Sequence, residues 1–232
     1  MTPSGATYDR DYALSRSTPS DNWLFDEIIK LLQPQPCWRV LDVGCNTGEL
    51  AGRLAEQGCD TLGIDISPDA ILVARQRFPK LRFVAGELPG LAESGFDAIV
   101  SSHVIEHLAD PAAFLSAAHE RLKPGGVLLL VTPNRQAFLH RLLHAMRGIP
   151  IFHDPTHQRL YARFELRQSL HSAGFRSVRA TSRMLYFPWA SRLPVSVRLR
   201  IPCFGMGDHL FLFGRTEGHR SHSESKLSSH AL

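Results

Sequence analysis

The stretch Val40-Leu41-Asp42-Val43-Gly44-Cys45-Asn46-Thr47-Gly48-Glu49-Leu50, followed by Gly63-Ile64-Asp65-Ile66-Ser67, limits what this chain can fold into more than any other. An apolar run ends in a glycine-bearing turn, a helical segment follows, and a second apolar run ends on a carboxylate. Strand, turn, helix and strand in that order build a nucleotide pocket at the carboxyl edge of a parallel sheet. Gly44 and Gly48 let backbone approach a ligand where a Cβ would collide with it. The amides that open the helix can donate to a carboxylate or phosphate. Asp65 is placed to accept both hydroxyls of a ribose, a charge-assisted contact worth about 1.5–3 kcal/mol. The competing reading is an ordinary strand–turn–helix with no ligand.

The glycines discriminate between nucleotides. A dinucleotide fingerprint needs G-x-G-x-x-G, but Asn46 takes the place of the middle glycine and Glu49 stands at the helix start, where it would repel a pyrophosphate. Asn46 tolerates a positive φ better than most residues, so the turn is expected to survive. The motif resembles hydrophobic-D-x-G-x-G-x-G, the first motif of class I S-adenosylmethionine-dependent methyltransferases. Further along, Ser102-His103-Val104-Ile105-Glu106-His107-Leu108-Ala109-Asp110-Pro111 resembles the V-x-E-H-x-x-D-P stretch of the small-molecule and quinone-type members. Leu122-Lys123-Pro124-Gly125-Gly126 and Thr132-Pro133-Asn134 match the loop before, and the usual ending of, the fifth strand of that family. Each piece is weak alone; in this order and spacing they are specific.

The remaining pattern fits an α/β chain of one domain. Asp21 can cap a helix through about Leu32 with Leu24, Ile28 and Leu31 on one face, stopped by Pro34 and Pro36. Strands are expected at 38–43, 61–65, 81–85, 96–101, 127–131, 175–181 and 209–213. Ser67-Pro68 and Asp110-Pro111 are cap-plus-proline helix starts, and Gly174 closes a helix over 162–173. Alternation of this kind predicts right-handed crossovers and a doubly wound, Rossmann-like sheet. The resemblance adds a seventh strand that runs antiparallel at the edge. Residues 1–20 read as a flexible arm, 21–215 as the methyltransferase-like domain, and 216–232, rich in Ser and His, as a disordered tail.

Of the 232 residues, 1–132 carry 11 Lys/Arg against 17 Asp/Glu, whereas 133–232 carry 15 against 5. The cofactor-binding half is thus acidic and the other half basic. A solvated basic face explains this, and so does an anionic acceptor or an anionic membrane surface that presents one. No apolar run nears the ~20 residues of a membrane span, and the N-terminus shows no signal-peptide pattern. Cys37, Cys45, Cys59 and Cys203 lie far apart without C-x-x-C spacing, as expected of a reduced, cytoplasmic protein with no zinc site.

The resemblance implies S-adenosylmethionine as cofactor and a role for each matching residue. Gly44 and Cys45 would present backbone to its methionine part, with Asp42 beneath. Asp65 would hold the ribose, Ile66 pack on the adenine, and Glu87 with Leu88 meet the adenine edge. Ser102 and His103 would end the fourth strand beside the transferred methyl group. A histidine there has a pKa near working pH and can take a proton from a hydroxyl acceptor, so His103, His107 and His157 are the candidate bases. Glu106 and His107 could instead only orient the turn into the next helix, and His157, in His153-Asp154-Pro155-Thr156-His157, only tie its loop. His103, Glu106 and His107 could also hold a metal, but the spacing is too generic and none is assigned.

Tyr8 and Tyr12 could close as a lid. Residues 184–206 interleave aromatics with Arg183, Arg192, Arg198 and Arg200, either as packing or as a cap over an apolar or anionic acceptor. The function expected is methyl transfer to a small-molecule acceptor, most readily at oxygen. A nucleic-acid methyltransferase is disfavoured because Ser101-Ser102-His103-Val104 stands where base-amino methylation uses an N-P-P-Y type ending. A non-catalytic adenosylmethionine-binding protein is disfavoured by the intact Asp65 and both glycines.

Overall fold

The computed structural model describes residues 22–137, 156–183 and 208–218. The N-terminal arm with Tyr8 and Tyr12, His153, the segment with Arg192, Arg198 and Arg200, and the chain beyond 218 lie outside the described residues. Seven strands form one sheet in the order β3-β2-β1-β4-β5-β7-β6. They are β1 Arg39–Val43, β2 Asp60–Asp65, β3 Arg82–Ala85, β4 Phe96–Ser102, β5 Leu122–Pro133, β6 Arg176–Arg183 and β7 His209–Arg215. The first five are mutually parallel, and β7 runs antiparallel to both β5 and β6.

Strand residues alternate between two cores. Val40, Ala98, Val100, Leu129 and Val131 face one way, onto α1 (Asn22–Leu32) and α2 (Glu49–Glu56) through Leu24, Ile28, Leu50 and Leu54. Leu41, Ile99, Leu128 and Leu130 face the other way, onto α4 (Pro111–Arg121) and α5 (Arg163–Ser172) through Phe114, Leu115, Leu166 and Leu170. Coverage on both faces is why β5 reads as an uninterrupted apolar run. Each fully buried leucine of this kind contributes about 1.5–3 kcal/mol. The helix α3 (Pro68–Arg77) packs Ile71 and Ala74 against Phe83, Ala51 and Cys45 in a smaller cluster beside the cofactor-type turn.

Two of the expected caps form, while Asp21 lies outside the described residues. Ser67 Oγ accepts from Ala70 N at 3.2 Å and Asp110 Oδ1 from Ala113 N at 3.0 Å, each satisfying an orphan helix amide. On α1, Leu24, Ile28 and Leu32 are buried and Leu31 only partly so.

Three boundaries differ from expectation. β5 begins at Leu122, because Phe96 pairs with Leu122 and the ladder then skips to Ala98 and Val127, leaving Lys123, Pro124, Gly125 and Gly126 as an irregularity between them. β7 lies inside the sheet, and β6 is the edge. The physical reason is composition: Leu210, Phe211 and Leu212 are all buried, whereas β6 exposes Arg176, Ser177 and Arg179 as an edge strand does. Packing also continues past 215. Thr216 Oγ1 donates to Lys123 O at 2.6 Å and Gly125 N donates to Glu217 O at 3.2 Å.

Candidate active site

The site opens at the carboxyl ends of β1, β2 and β4. Gly44 has φ +76°, and a Cβ there would run into Val104 Cγ2; Gly48 has φ +83°, and a Cβ would meet Phe83 Cζ at 2.8 Å. Both glycines are therefore required by the protein's own packing, beyond any close approach to a ligand. Asn46 takes φ +47°, so it supplies the positive φ expected of it.

Asp65 organises this turn. Its Oδ2 accepts from Asn46 N and its Oδ1 from Ser67 N, both at 2.9 Å. Burial pushes the carboxyl up from its ordinary value, and the Ser67 and Asn46 amides oppose that. Each oxygen keeps a second lone pair for a ribose hydroxyl. The amides of Gly44 and Cys45, in contrast, both donate to Ile64 O, at 2.8 and 3.1 Å, and Gly48 N donates to Cys45 O. What Gly44 and Cys45 retain for a ligand is carbonyl oxygen, which suits an ammonium.

Asp42 lies beneath the turn, 2 % exposed. Burial, and then the like charge of Asp65, push its pKa to about 7 against the pull of the Ala51 backbone N–H. Its Oδ2 has no hydrogen-bond partner among the described residues. Ile66 is 46 % exposed at the end of β2, an apolar surface open to a planar ring. Glu87 is exposed, whereas the Leu88 side chain is core, leaving only its backbone for a ligand.

At the end of β4, Ser102 pairs with Val131 and His103 turns into the left-handed region at φ +56°. For a residue with a Cβ that conformation costs on the order of 1 kcal/mol or more. It is held by His103 N donating to Val131 O at 2.9 Å and by Nδ1 at 3.1 Å from Glu106 Oε1. Glu106 is fully buried. Burial would push its carboxyl up, but the hydrogen bond and charge of His103, its own backbone N–H and the His107 charge outweigh that and hold it below the ordinary value. Its second oxygen accepts from Thr132 Oγ1 at 3.0 Å.

His107 and His157 form a separate pair with ring centroids 4.8 Å apart. His107 Nδ1 lies 3.2 Å from Thr156 O and 3.0 Å from Thr156 Oγ1. Gln158 N and Arg159 N both donate to Glu106 O, so the 156–161 segment is tied to the turn after β4.

Glu106, His107 and His157 offer ligand atoms within 4.8 Å of one another, a different set from the one the spacing suggested. Both Glu106 oxygens and His107 Nδ1 also have protein partners. The structure adds two groups that sequence reasoning missed. The His209 ring stands edge-on to His103 at 5.1 Å, and Trp23 edge-on to His209 at 5.3 Å. Only tertiary folding brings these three together, and no local pattern announces it.

No helix among the described residues is long and apolar enough to cross a membrane. A family model described as a methyltransferase domain matches residues 13–180. The ubiquinone biosynthesis O-methyltransferase of Xylella fastidiosa is 36% identical over 180 residues, covering 70% of each chain. That of Xanthomonas campestris is 34% identical over 183 residues, covering 72% of this chain and 74% of the relative. Among solved structures, an S-adenosylmethionine-dependent methyltransferase of Thermotoga maritima, described as a possible histamine N-methyltransferase, superposes with a TM-score of 0.66. It is 22% identical, with 83% of this chain and 88% of that one covered. Phosphoethanolamine N-methyltransferase 2 of Haemonchus contortus, solved with S-adenosylmethionine, gives 0.62 at 16% identity, covering 91% of this chain and 58% of that one. These two show the fold; the sequence relatives and the family model show more. The chain belongs to the class I S-adenosylmethionine-dependent methyltransferases and acts as a methyltransferase on a small molecule.

Proposed function

We propose that the protein transfers a methyl group from S-adenosylmethionine to a hydroxyl on an apolar aromatic acceptor, in the cytoplasm. One observation carries this reading: Val104 packs on Gly44, so His103 stands one residue from the cofactor turn. A proton acceptor at that point suits an oxygen nucleophile. The relatives named as ubiquinone biosynthesis O-methyltransferases support a hydroxyl oxygen as the acceptor. Such a hydroxyl ionises less readily than an amine exposes its lone pair, so a base is useful.

The residues present fit the cofactor. Asp65 would hold the ribose hydroxyls, Ile66 pack on the adenine, and the Glu87 side chain and Leu88 backbone meet its edge. Gly44 and Cys45 carbonyls would receive the ammonium, with the Asp42 carboxyl, whose Oδ2 is unpartnered among the described residues, beneath it. Gly48 keeps the turn tight, and Ser102 borders the methyl position with His103. When bound, the cofactor supplies a methyl carbon already activated by a positive sulfur. The protein's task is then to hold the acceptor oxygen about 3–3.5 Å from that carbon, remove its proton and exclude water. His103, His107 and His157 are the groups that can remove it.

The test is incubation of the purified protein with labelled S-adenosylmethionine and a panel of phenols, catechols and amines, with products identified by mass spectrometry. Methylation at oxygen of an apolar catechol or phenol is expected. Labelling of amines alone would overturn the oxygen assignment.

A further inference from the structure

We propose that Glu106 positions His103 as the proton acceptor of the reaction, in a buried carboxylate–histidine pair, while His107 and His157 serve the fold. The proposal deepens the reading above and rests on an oxygen acceptor.

A carboxylate held ionised can only accept hydrogen bonds. With Glu106 Oε1 3.1 Å from His103 Nδ1, the neutral ring must carry its proton on Nδ1. That leaves the Nε2 lone pair as the basic atom, and Nε2 makes no hydrogen bond among the described residues. The carboxylate does not swing, because Thr132 Oγ1 holds its other oxygen at 3.0 Å. The ring is a third exposed, whereas Glu106 is wholly buried, as an acceptor-facing base and its support should be. The His209 ring, edge-on at 5.1 Å, braces His103 on another side.

His107 is committed elsewhere. Its Nδ1 is shared between the carbonyl and the hydroxyl of Thr156, and its ring lies against His157. This pair fastens the 156–161 segment across the turn. His107 is thus bonded to Thr156 and His157 lies against its ring, both on the segment that the turn holds.

In the reaction, a lone pair of the acceptor oxygen forms the new bond to the methyl carbon as the carbon–sulfur bond breaks, its electron pair remaining on sulfur. The hydroxyl proton passes to His103 Nε2, and the imidazolium formed stands beside the Glu106 carboxylate. Water then receives the proton. Nothing else is consumed.

The first test needs no acceptor. Nitrogen-15 spectra of the labelled, cofactor-free protein, with the His103 signal identified by its loss in His103→Gln, should show the neutral ring protonated at Nδ1. In Glu106→Gln that preference should disappear. A wild-type ring protonated at Nε2 overturns the proposal. The second test uses catechol as probe. His103→Gln should lower kcat by about 10²–10⁴-fold and Glu106→Gln by about 10–10²-fold, with cofactor affinity unchanged. The double variant should be no worse than His103→Gln alone, since the carboxylate acts only through the ring. Independent, multiplying losses overturn the proposal, as does turnover abolished by a chelator and restored by a divalent cation. If Glu106→Gln does not fold, Thr132→Val makes the same comparison. If catechol is not methylated although the cofactor binds, the acceptor reading fails and the spectra alone decide on the pair.

Discussion

Replacing Asp42 by Asn should make the cofactor-free protein more stable at neutral pH, and the gain should vanish in acid. Asp42 is a carboxyl buried under the turn with one oxygen unpartnered among the described residues, and burial with the Asp65 charge pushes its pKa from 3.8 to about 7. The folded state then holds a proton that the unfolded chain has already released between about pH 4 and pH 7. Stability must fall as pH rises through that window, because there the native state binds more protons than the unfolded one. Above about pH 7 the loss is complete. Moving the titration that far corresponds to about 4 kcal/mol at roughly 1.4 kcal/mol per pH unit, and about 2 kcal/mol survives generous relaxation of the site. Asn is nearly the same shape and cannot ionise, so it escapes the penalty. Urea unfolding of both proteins at pH 4 and pH 8, without cofactor, measures the difference directly. The expectation is near-equal stability at pH 4 and an advantage of about 2–4 kcal/mol for Asp42→Asn at pH 8. A variant equally destabilised at both values would show that Asp42 is ionised and well paired, and the reasoning would fail. The natural Asp would then answer to the proposed role, a carboxyl beneath a cationic group.

Gly44→Ala should lose cofactor affinity by tenfold or more, since it adds a Cβ at φ +76° against Val104; Val104→Ala on the same chain should restore part of it in calorimetry, and no restoration would place the clash elsewhere. Asp65→Ala should weaken cofactor binding by about 1.5–3 kcal/mol and also lower the thermal midpoint, because the Asn46 and Ser67 amides lose their acceptor. Unchanged cofactor affinity would mean that the ribose is held by another group. Glu27→Ala should cost about 2–4 kcal/mol of unfolding free energy, because Arg183 Nε lies 2.7 Å from the buried Glu27 and joins α1 to β6; a loss under about 0.5 kcal/mol would place the pair among exposed ones in effect.

The parts of this molecule that were legible in the sequence are those set by local chemistry. Ser67-Pro68 and Asp110-Pro111 form the caps their residue types imply, and Asn46 accepts the positive φ that the middle motif glycine would have taken. Strand content and the cofactor-type turn follow from short-range pattern, and the family match over 13–180 agrees with them. Strand order does not. β7 lies between β5 and β6 because its residues are apolar on both faces, a signal present in Leu210, Phe211 and Leu212 but outweighed by the expectation that the last strand ends the sheet. The polarity of the turn was likewise hidden, since only the fold shows that Ile64 O consumes the amides of Gly44 and Cys45.

The site itself divides along the same line. His103, Glu106 and His107 sit within five residues of each other, and the sequence offers all three as chemistry without ranking them. Ranking comes from partners far away in the chain: Thr132 on β5 fixes the carboxylate, Thr156 takes His107, and Trp23 on α1 reaches His103 through His209. A histidine in the left-handed region, next to the valine that touches the cofactor turn, is a strained placement with a use. Strain at φ +56° lets Nδ1 reach Glu106, and the same geometry sets His103 one residue from Gly44. The turn at Gly44 and His103 are thus linked through Val104, which packs on Gly44. A change on either side of that contact should disturb binding and proton removal together.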